Sequence, residues 1–263
     1  MKIGIVGLGV VGKACRAGFE RLGYSISVHD IILNTSIEQV LDTEIVYVCV
    51  PTPSNESGEC NTDIVTSVVA NLIDKNYTGV IAIKSTVTPG TTQKLIDTFG
   101  DTIVFVPEFL KERSAEYDFV FDHRLLLVGT ENVNHYYLVQ RSHGDLPKQI
   151  MRTSPTEAEF TKYYHNSFNA LRVVFANVFY EMTTQLGANY DTVKSAFLAQ
   201  GNVPDEYLDV KPELRGYAGA CLPKDVIALQ HFCNTHGLDF DLFATMDRQN
   251  NKFKKTVFKG MRL

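Results

Sequence analysis

The chain opens with a short apolar run, Lys2-Ile-Gly-Ile-Val6, that passes directly into Gly7-Leu-Gly9-Val-Val-Gly12. A strand, then G-x-G-x-x-G, then a helix-like run to Leu22 leaves few folds open, because each glycine has its own steric task. Gly7 makes the tight turn, Gly9 admits a pyrophosphate close to the backbone, and Gly12 lets the helix pack on the sheet. Val11 lies in the same loop, and the helix N-terminus faces the phosphates. A second strand, Ser25-Ile-Ser-Val-His-Asp30, ends in an acid placed to bind ribose hydroxyls. A carboxylate there repels a 2′-phosphate, so the pattern favours NAD over NADP. The alternative is a glycine turn in some other α/β protein.

The next stretches continue the same plan. Residues 44–50 are nearly continuous in apolar side chains, as a buried parallel strand requires, and run into Pro51-Thr52-Pro53-Ser54. Open α/β sheets bind ligands at that edge. Asn61 or Thr62 caps a following helix whose apolar face is Val65, Val68, Val69 and Leu72. Strands at 80–84 and 103–106 lead to Ser85-Thr86 and to Pro107-Glu108, with Glu112 shortly after, and 124–129 closes the set. One polar strand end alone reads as a helix cap. Three in series deliver polar residues to a single edge.

The second half changes character. Ser154-Pro-Thr-Glu157 combines a capping box with proline at the first helical position, and nothing breaks the helix before Gln185 and Gly187. Phe160, Tyr164, Phe168, Leu171, Phe175, Val178, Phe179 and Met182 recur near the helical period, which makes this a core or subunit-interface helix. Lys162 and Asn166, four apart, project from one face; a surface lysine and a solvated asparagine are the plain alternative. A helix at 191–199 and a proline-containing loop lead to Gly216-Tyr-Ala-Gly-Ala-Cys221-Leu-Pro-Lys-Asp225, with helices to the end. Small residues admit a ligand to the backbone. Pro223 and the run Val226, Ile227, Leu229 start a helix, so Cys221 falls at a helix N-terminus, where the dipole favours thiolate. The alternative is a buried, inert cysteine.

These readings give an α/β chain: a Rossmann-like, doubly wound parallel sheet over residues 1–153, then an all-helical domain over 154–263 with one long helix. A net charge of −5 and an isoelectric point near 5.8 give no electrostatic case for nucleic acid. Lys252, Lys254, Lys255, Lys259 and Arg262 form a local basic run, read as a solvated helix face or tail, with a partner or membrane contact as the alternative. No apolar run reaches the roughly 18 residues that span a bilayer. The N-terminus enters a strand without the cleavage region of a signal peptide. Cys15, Cys49, Cys60, Cys221 and Cys233 show neither metal-ligand spacing nor a disulfide framework, so no metal is expected and the odd count fits the reducing cytoplasm.

Taken in order, Gly7–Gly12, Cys49-Val-Pro-Thr-Pro53, Lys84-Ser-Thr-Val87, Pro107-Glu-Phe-Leu110, Ala158–Lys162 with Asn166, and Gly219-Ala-Cys-Leu-Pro-Lys-Asp225 resemble the nucleotide-sugar dehydrogenase family, the UDP-glucose and GDP-mannose dehydrogenases. The resemblance spans nearly the whole chain. It implies oxidation of a sugar primary alcohol to a carboxylate with two NAD and one active cysteine. Cys221 then attacks the aldehyde, while Lys162 and Asn166 donate hydrogen bonds to the oxyanion. Asp225 orients a water or neighbour, and Glu108, near Thr86, handles protons. Thr52, Pro53, Ser85, Thr86, Glu112 and Lys224 line the cofactor. The partners implied are a nucleotide sugar and a second copy met through the helix from Ser154.

Three features depart from the family pattern. Members usually carry a third, nucleotide-binding domain, so a short form without it is expected. Only a short segment separates Asp30 from the strand at Glu44. The cysteine motif has Ala218 for a usual glycine and Ala220 for a common serine, and Asp205 falls near the place of a substrate-binding arginine. Two other readings stay open. One is a β-hydroxyacid-type dehydrogenase with a single hydride transfer, against which Cys221 and Asp225 speak. The other is an NAD-binding protein without turnover.

Overall fold

The computed structural model describes residues 1–55 and 57–256. They fall into two compact units: the first is Met1–Asn55 with Cys60–Lys162, and the second is the remaining described residues. Lys259 and Arg262 of the basic run lie outside the described residues.

The first unit is a seven-stranded sheet, with β1 (Lys2–Val6), β2 (Ser25–His29), β3 (Ile45–Val48), β4 (Val80–Ile83), β5 (Ile103–Phe105), β6 (Leu125–Gly129) and β7 (Gln149–Thr153) in the order 2-1-3-4-5-6-7. Pairing is parallel except between β5 and β6, which meet antiparallel at Phe105 and Gly129. All four residues of β3 and of β4 are buried. Alternate side chains supply two cores: Val46, Val48, Ile81 and Ile83 pack on one face, and Ile45, Tyr47, Val80 and Ala82 on the other. That two-sided burial explains the unbroken apolar runs in the sequence. The strand order reverses beside β1, so the glycine loop leaves the sheet at a topological switch point, where open α/β sheets bind ligands.

The helices of this unit are α1 (Val10–Arg21), α2 (Asp63–Asp74), α3 (Thr91–Phe99), α4 (Ala115–Phe121) and α5 (Val133–His143). Of the two candidate caps for α2, Asn61 supplies the acceptor, taking the Asp63 N–H at 2.8 Å. The sequence gives no warning of β7. Gln-Ile-Met-Arg-Thr lies at the sheet edge, half exposed, and never acquires a buried alternation.

The long helix α6 (Pro155–Gln185) has 31 residues. Its capping box closes as the residue types require: Ser154 N–H donates to Glu157 Oε2 at 2.8 Å, and Glu157 N–H donates to Ser154 Oγ at 3.3 Å. Gly187, at φ 70°, follows its end. A Cβ on Gly129 would lie 2.8 Å from Pro155 Cα and 2.9 Å from Ala158 Cβ, so glycine there lets α6 settle on the end of β6, beside the end of β5.

The second unit continues with α7 (Tyr190–Leu198), α8 (Leu222–Thr235) and α9 (Leu242–Asn250). Ala170 and Val174 of α6 form a core with Tyr217, Val226 and Met246. The aromatic stripe on α6 is not part of that core. Tyr164, Phe168, Phe175 and Met182 are exposed in the single chain, which removes the core reading for them and leaves an exposed apolar face. Helices are expected to the end, and in the described residues the last of them is α9. The chain leaves α9 at Asn250, and Lys252, Lys254 and Lys255 are solvent-exposed outside it.

Candidate active site

The glycine loop behaves as its three tasks demand. Gly7 has φ 91°, and a Cβ there would lie 2.7 Å from the Cys49 carbonyl oxygen. A Cβ on Gly12 would sit 2.0 Å from the Gly7 carbonyl oxygen. No atom lies within 4 Å of a Cβ built on Gly9, so the space in front of the α1 N-terminus is open. Val11, on the first turn of α1, is half-buried. Asp30 stands at the end of β2 with both oxygens engaged: Oδ2 accepts the Leu8 N–H at 2.6 Å and Oδ1 the Ile32 N–H at 2.8 Å. The Leu8 N–H, first among its neighbours, holds the Asp30 carboxyl below the usual range. The acid therefore fixes the loop and stays ionised beside it.

The loops after β3, β4 and β5 carry the other sites read from the sequence. Thr52 is buried and Pro53 exposed. Ser85 Oγ donates to the Val50 carbonyl at 2.8 Å, which ties the β4 end to the β3 loop. Thr86 is half-buried, and its carbonyl accepts the Cys60 thiol at 3.5 Å. Glu108 and Lys162 are brought together. Lys162 Nζ donates to the Glu108 carbonyl at 2.7 Å and to its Oε1 at 3.1 Å, while Glu108 Oε2 accepts the Leu110 N–H at 2.8 Å. Lys162 is buried, which excludes the surface-lysine reading. Glu112 begins a 3₁₀ turn a few residues on.

Glu159 is a functional candidate that the sequence reading missed. It is fully buried, and its two oxygens accept the Gly90 N–H at 2.6 Å and the Thr92 N–H at 2.7 Å. These are orphan donors at the start of α3, so Glu159 caps that helix from a distance. Burial raises its pKa from the ordinary glutamate value. It ties the Ser85–Gly90 loop to the helix turn that carries Lys162. The available signal was its spacing, three residues before Lys162 on the same helical face.

In the second unit, Cys221 is the N-cap residue of α8 and is exposed, as the proline and apolar run predict and as an inert core thiol would not be. One turn further, Asp225 is buried and makes three hydrogen bonds: its own N–H donates to the Cys221 carbonyl at 3.0 Å, while its oxygens accept Asn166 Nδ2 at 2.6 Å and Lys224 Nζ at 2.7 Å. Asn166 is thus buried and oriented, not solvated. Lys224, expected against the cofactor, pairs here with Asp225. Asp205, near the expected place of an arginine, accepts Lys194 Nζ at 2.9 Å. Arg215 does enter this unit, just ahead of the cysteine motif, donating to Asn177 Oδ1 at 2.7 Å and pairing with Glu181. Among the described residues, no group of three or more His, Cys, Asp or Glu side chains is placed to hold a metal. No described helix is long and apolar enough to cross a membrane.

A mostly parallel sheet with a glycine loop at its switch point and an acid at the end of β2 defines the class: a dinucleotide-binding, dehydrogenase-type α/β protein. Residues 32–144 match the NAD binding domain of the UDP-glucose/GDP-mannose dehydrogenase family, and residues 156–252 match its central domain. The chain belongs to that family, and its cofactor is NAD. It is similar to the UDP-glucose 6-dehydrogenase of Rickettsia felis, 27% identical over 223 residues, or 81% of this chain and 49% of that protein. The chain spans about half the length of such curated relatives. In fold it is similar to a UDP-glucose dehydrogenase from Pyrobaculum islandicum, with TM-score 0.86 and 23% identity over 95% of this chain and 68% of that one. It is also similar to a 3-hydroxyisobutyrate dehydrogenase from Mycobacterium tuberculosis, with TM-score 0.77 and 12% identity over 96% of this chain and 93% of that one. At these identities the two likenesses speak for the fold alone.

Proposed function

We propose that this protein is a nucleotide-sugar 6-dehydrogenase that carries the primary alcohol of a UDP-glucose-like substrate through the aldehyde to the uronic acid. The observation that carries the reading is Cys221, an exposed thiol at a helix N-terminus, one turn from a buried aspartate whose carboxylate is already hydrogen-bonded. A single oxidation has no use for such a thiol. NAD supplies a hydride acceptor for each of the two oxidations. The open space at Gly9 suits a pyrophosphate, and Asp30 retains acceptor capacity for ribose hydroxyls. Thr52, Pro53, Ser85, Thr86, Glu112 and Lys224 are assigned to the rest of the cofactor surface.

The thiolate of Cys221 adds to the aldehyde carbon, and the carbonyl oxygen takes a proton to give a thiohemiacetal. Loss of hydride and that proton leaves a thioester. Water attacks its carbon, the carbon–sulfur bond breaks, and the thiolate and carboxylic acid are released. Holding the aldehyde as a covalent adduct prevents its escape. Lys162 and Asn166 are donors for the oxyanion of the additions. Asp225 orients Asn166 and Lys224, and Glu108 takes the proton of the attacking water. The functional division follows the chemistry, with an NAD-binding domain over 1–153 and a helical domain over 154–263. The exposed stripe of Tyr164, Phe168, Phe175 and Met182 is the surface through which two copies pair, and the reduced thiol is suited to the cytoplasm.

The test is the NADH formed per sugar consumed, with UDP-glucose and GDP-mannose tried separately, for wild type and Cys221→Ala. Two NADH per sugar, lost in the variant, is the expected result. One NADH, insensitive to the variant, overturns the reading in favour of a single-hydride enzyme. Saturable NAD binding without NADH from either sugar overturns it in favour of a non-catalytic role.

A further inference from the structure

The segment that enters the Cys221 loop is held from the end of α9. Asn250 Oδ1 accepts the Tyr217 N–H at 2.8 Å, and Asn250 Nδ2 donates to the Tyr217 carbonyl at 3.0 Å. A flipped amide would set donor against donor and acceptor against acceptor, so the network fixes its orientation. Asn250 is buried, and the Tyr217 ring is packed among Ala170, Val174, Val226 and Met246. The asparagine amide thus does for one residue what a neighbouring strand does for many.

The residues just before Tyr217 are fixed from the same side. The Gly216 carbonyl accepts the Thr256 N–H at 2.9 Å, and the Arg215 N–H donates to Thr256 Oγ1 at 2.6 Å. A Cβ on Gly216 would fall 2.6 Å from Asn250 Oδ1, so glycine is what lets the asparagine approach. At the other end, the Cys221 carbonyl is held by the Asp225 N–H in the first turn of α8. Only Ala218, Gly219 and Ala220 lie between, and Gly219 turns the chain at φ 86°. These three residues carry no side chain beyond Cβ. The two anchors fix both ends of the segment that carries the thiol.

We propose that Asn250 is a positioning residue for Cys221, fixing the near anchor of the loop so that the thiol stays at the α8 N-terminus. The inference rests on Cys221 being the reactive thiol of the reaction above. Releasing Tyr217 frees the loop, and the sulfur then spends less time where the helix end favours its charged form.

The test uses the full chain and Asn250→Asp, which keeps an acceptor for the Tyr217 N–H but sets an oxygen against the Tyr217 carbonyl. Alkylation of Cys221 by iodoacetamide is followed residue by residue by mass spectrometry, beside kcat and KM for UDP-glucose. In a variant with native circular dichroism, alkylation at pH 7 slows by about fivefold and its pH–rate profile moves to higher pH. The same variant loses about tenfold or more in kcat, with KM changed by less than about twofold. Gly216→Ala, which displaces Asn250 from the other side, gives the same pattern and carries the test if Asn250→Asp does not fold. A folded variant with the wild-type alkylation profile and kcat overturns the proposal. Alkylation needs no turnover, so a shifted profile in a chain that forms no NADH sinks the proposed function and leaves the positioning role standing.

Discussion

Asn166 and Asp225 lie 59 residues apart in sequence and are joined by a 2.6 Å hydrogen bond in which both partners are buried. Lys224 Nζ holds the second aspartate oxygen at 2.7 Å. The carboxylate therefore serves two donors. Replacing it by alanine removes that acceptor from a buried amide N–H and from a largely buried ammonium. Asp225→Ala is expected to lower unfolding stability by about 3 kcal/mol. Asp225→Asn, which keeps the shape and one acceptor, is expected to cost less than half of that. Urea unfolding monitored by circular dichroism separates the two, and an alanine variant as stable as wild type would show that this pair is ornamental.

Gly9 and Gly12 share a motif and differ in what surrounds them. The Gly12 Cβ position is 2.0 Å from a backbone oxygen, whereas Gly9 has open space and a φ of −73° that any L-residue adopts. Gly12→Ala is expected to cost about 2 kcal/mol or more, because a main-chain carbonyl cannot step aside. Gly9→Ala is expected to melt within about 2 °C of wild type yet bind NAD about tenfold more weakly, since its methyl group enters the space needed by the pyrophosphate. Thermal melting and calorimetric titration with NAD check both. Equal losses of stability in the two variants would contradict the division of labour.

This contrast shows what a sequence can display. The glycine turn, the Ser154–Glu157 capping box and the Cys221 helix start are legible because their causes lie within a few residues of one another. The unbroken apolar runs of β3 and β4 are legible because a two-sided core demands them. Glu159, Asn250 and Arg215 are different. Each satisfies polar groups 33 to 69 residues away in the chain, from Asn250 with Tyr217 at a separation of 33 to Glu159 with Gly90 at 69, and nothing local marks them. The strand β7 escapes for another reason: at a half-exposed edge, its side chains carry no burial pattern. The stripe on α6 was legible as apolar, but periodicity alone does not say whether an apolar face meets its own chain or another.

His123 and His143 make the first unit sensitive to acid. Both are buried, and their rings meet at 5.6 Å beside Phe119, with Phe19 and Tyr47 against His143. His143 Nδ1 lies 2.9 Å from the Val139 carbonyl and donates to it as the neutral ring. The Lys84 ammonium is buried nearby, over the rings of Tyr47 and Phe119. Burial first, and Lys84 next, push His143 well below its ordinary value and His123 down to about 4 from 6.5. Both histidines are therefore neutral in the folded chain and take up protons more readily when it unfolds. Their contribution is complete above pH 6.5 and is lost as the pH falls through the folded value. For His123 the fall from 6.5 to about 4 corresponds to roughly 3 kcal/mol between pH 7 and pH 4. Acidic residues titrate in the same range, so the informative quantity is the difference between wild type and His123→Leu, in which they cancel. That difference is expected to move by about 3 kcal/mol in favour of the variant as urea unfolding is repeated from pH 7 down to pH 4. Parallel stability curves for the two proteins would mean that His123 is already protonated in the fold, and that the buried Lys84 does not repel it.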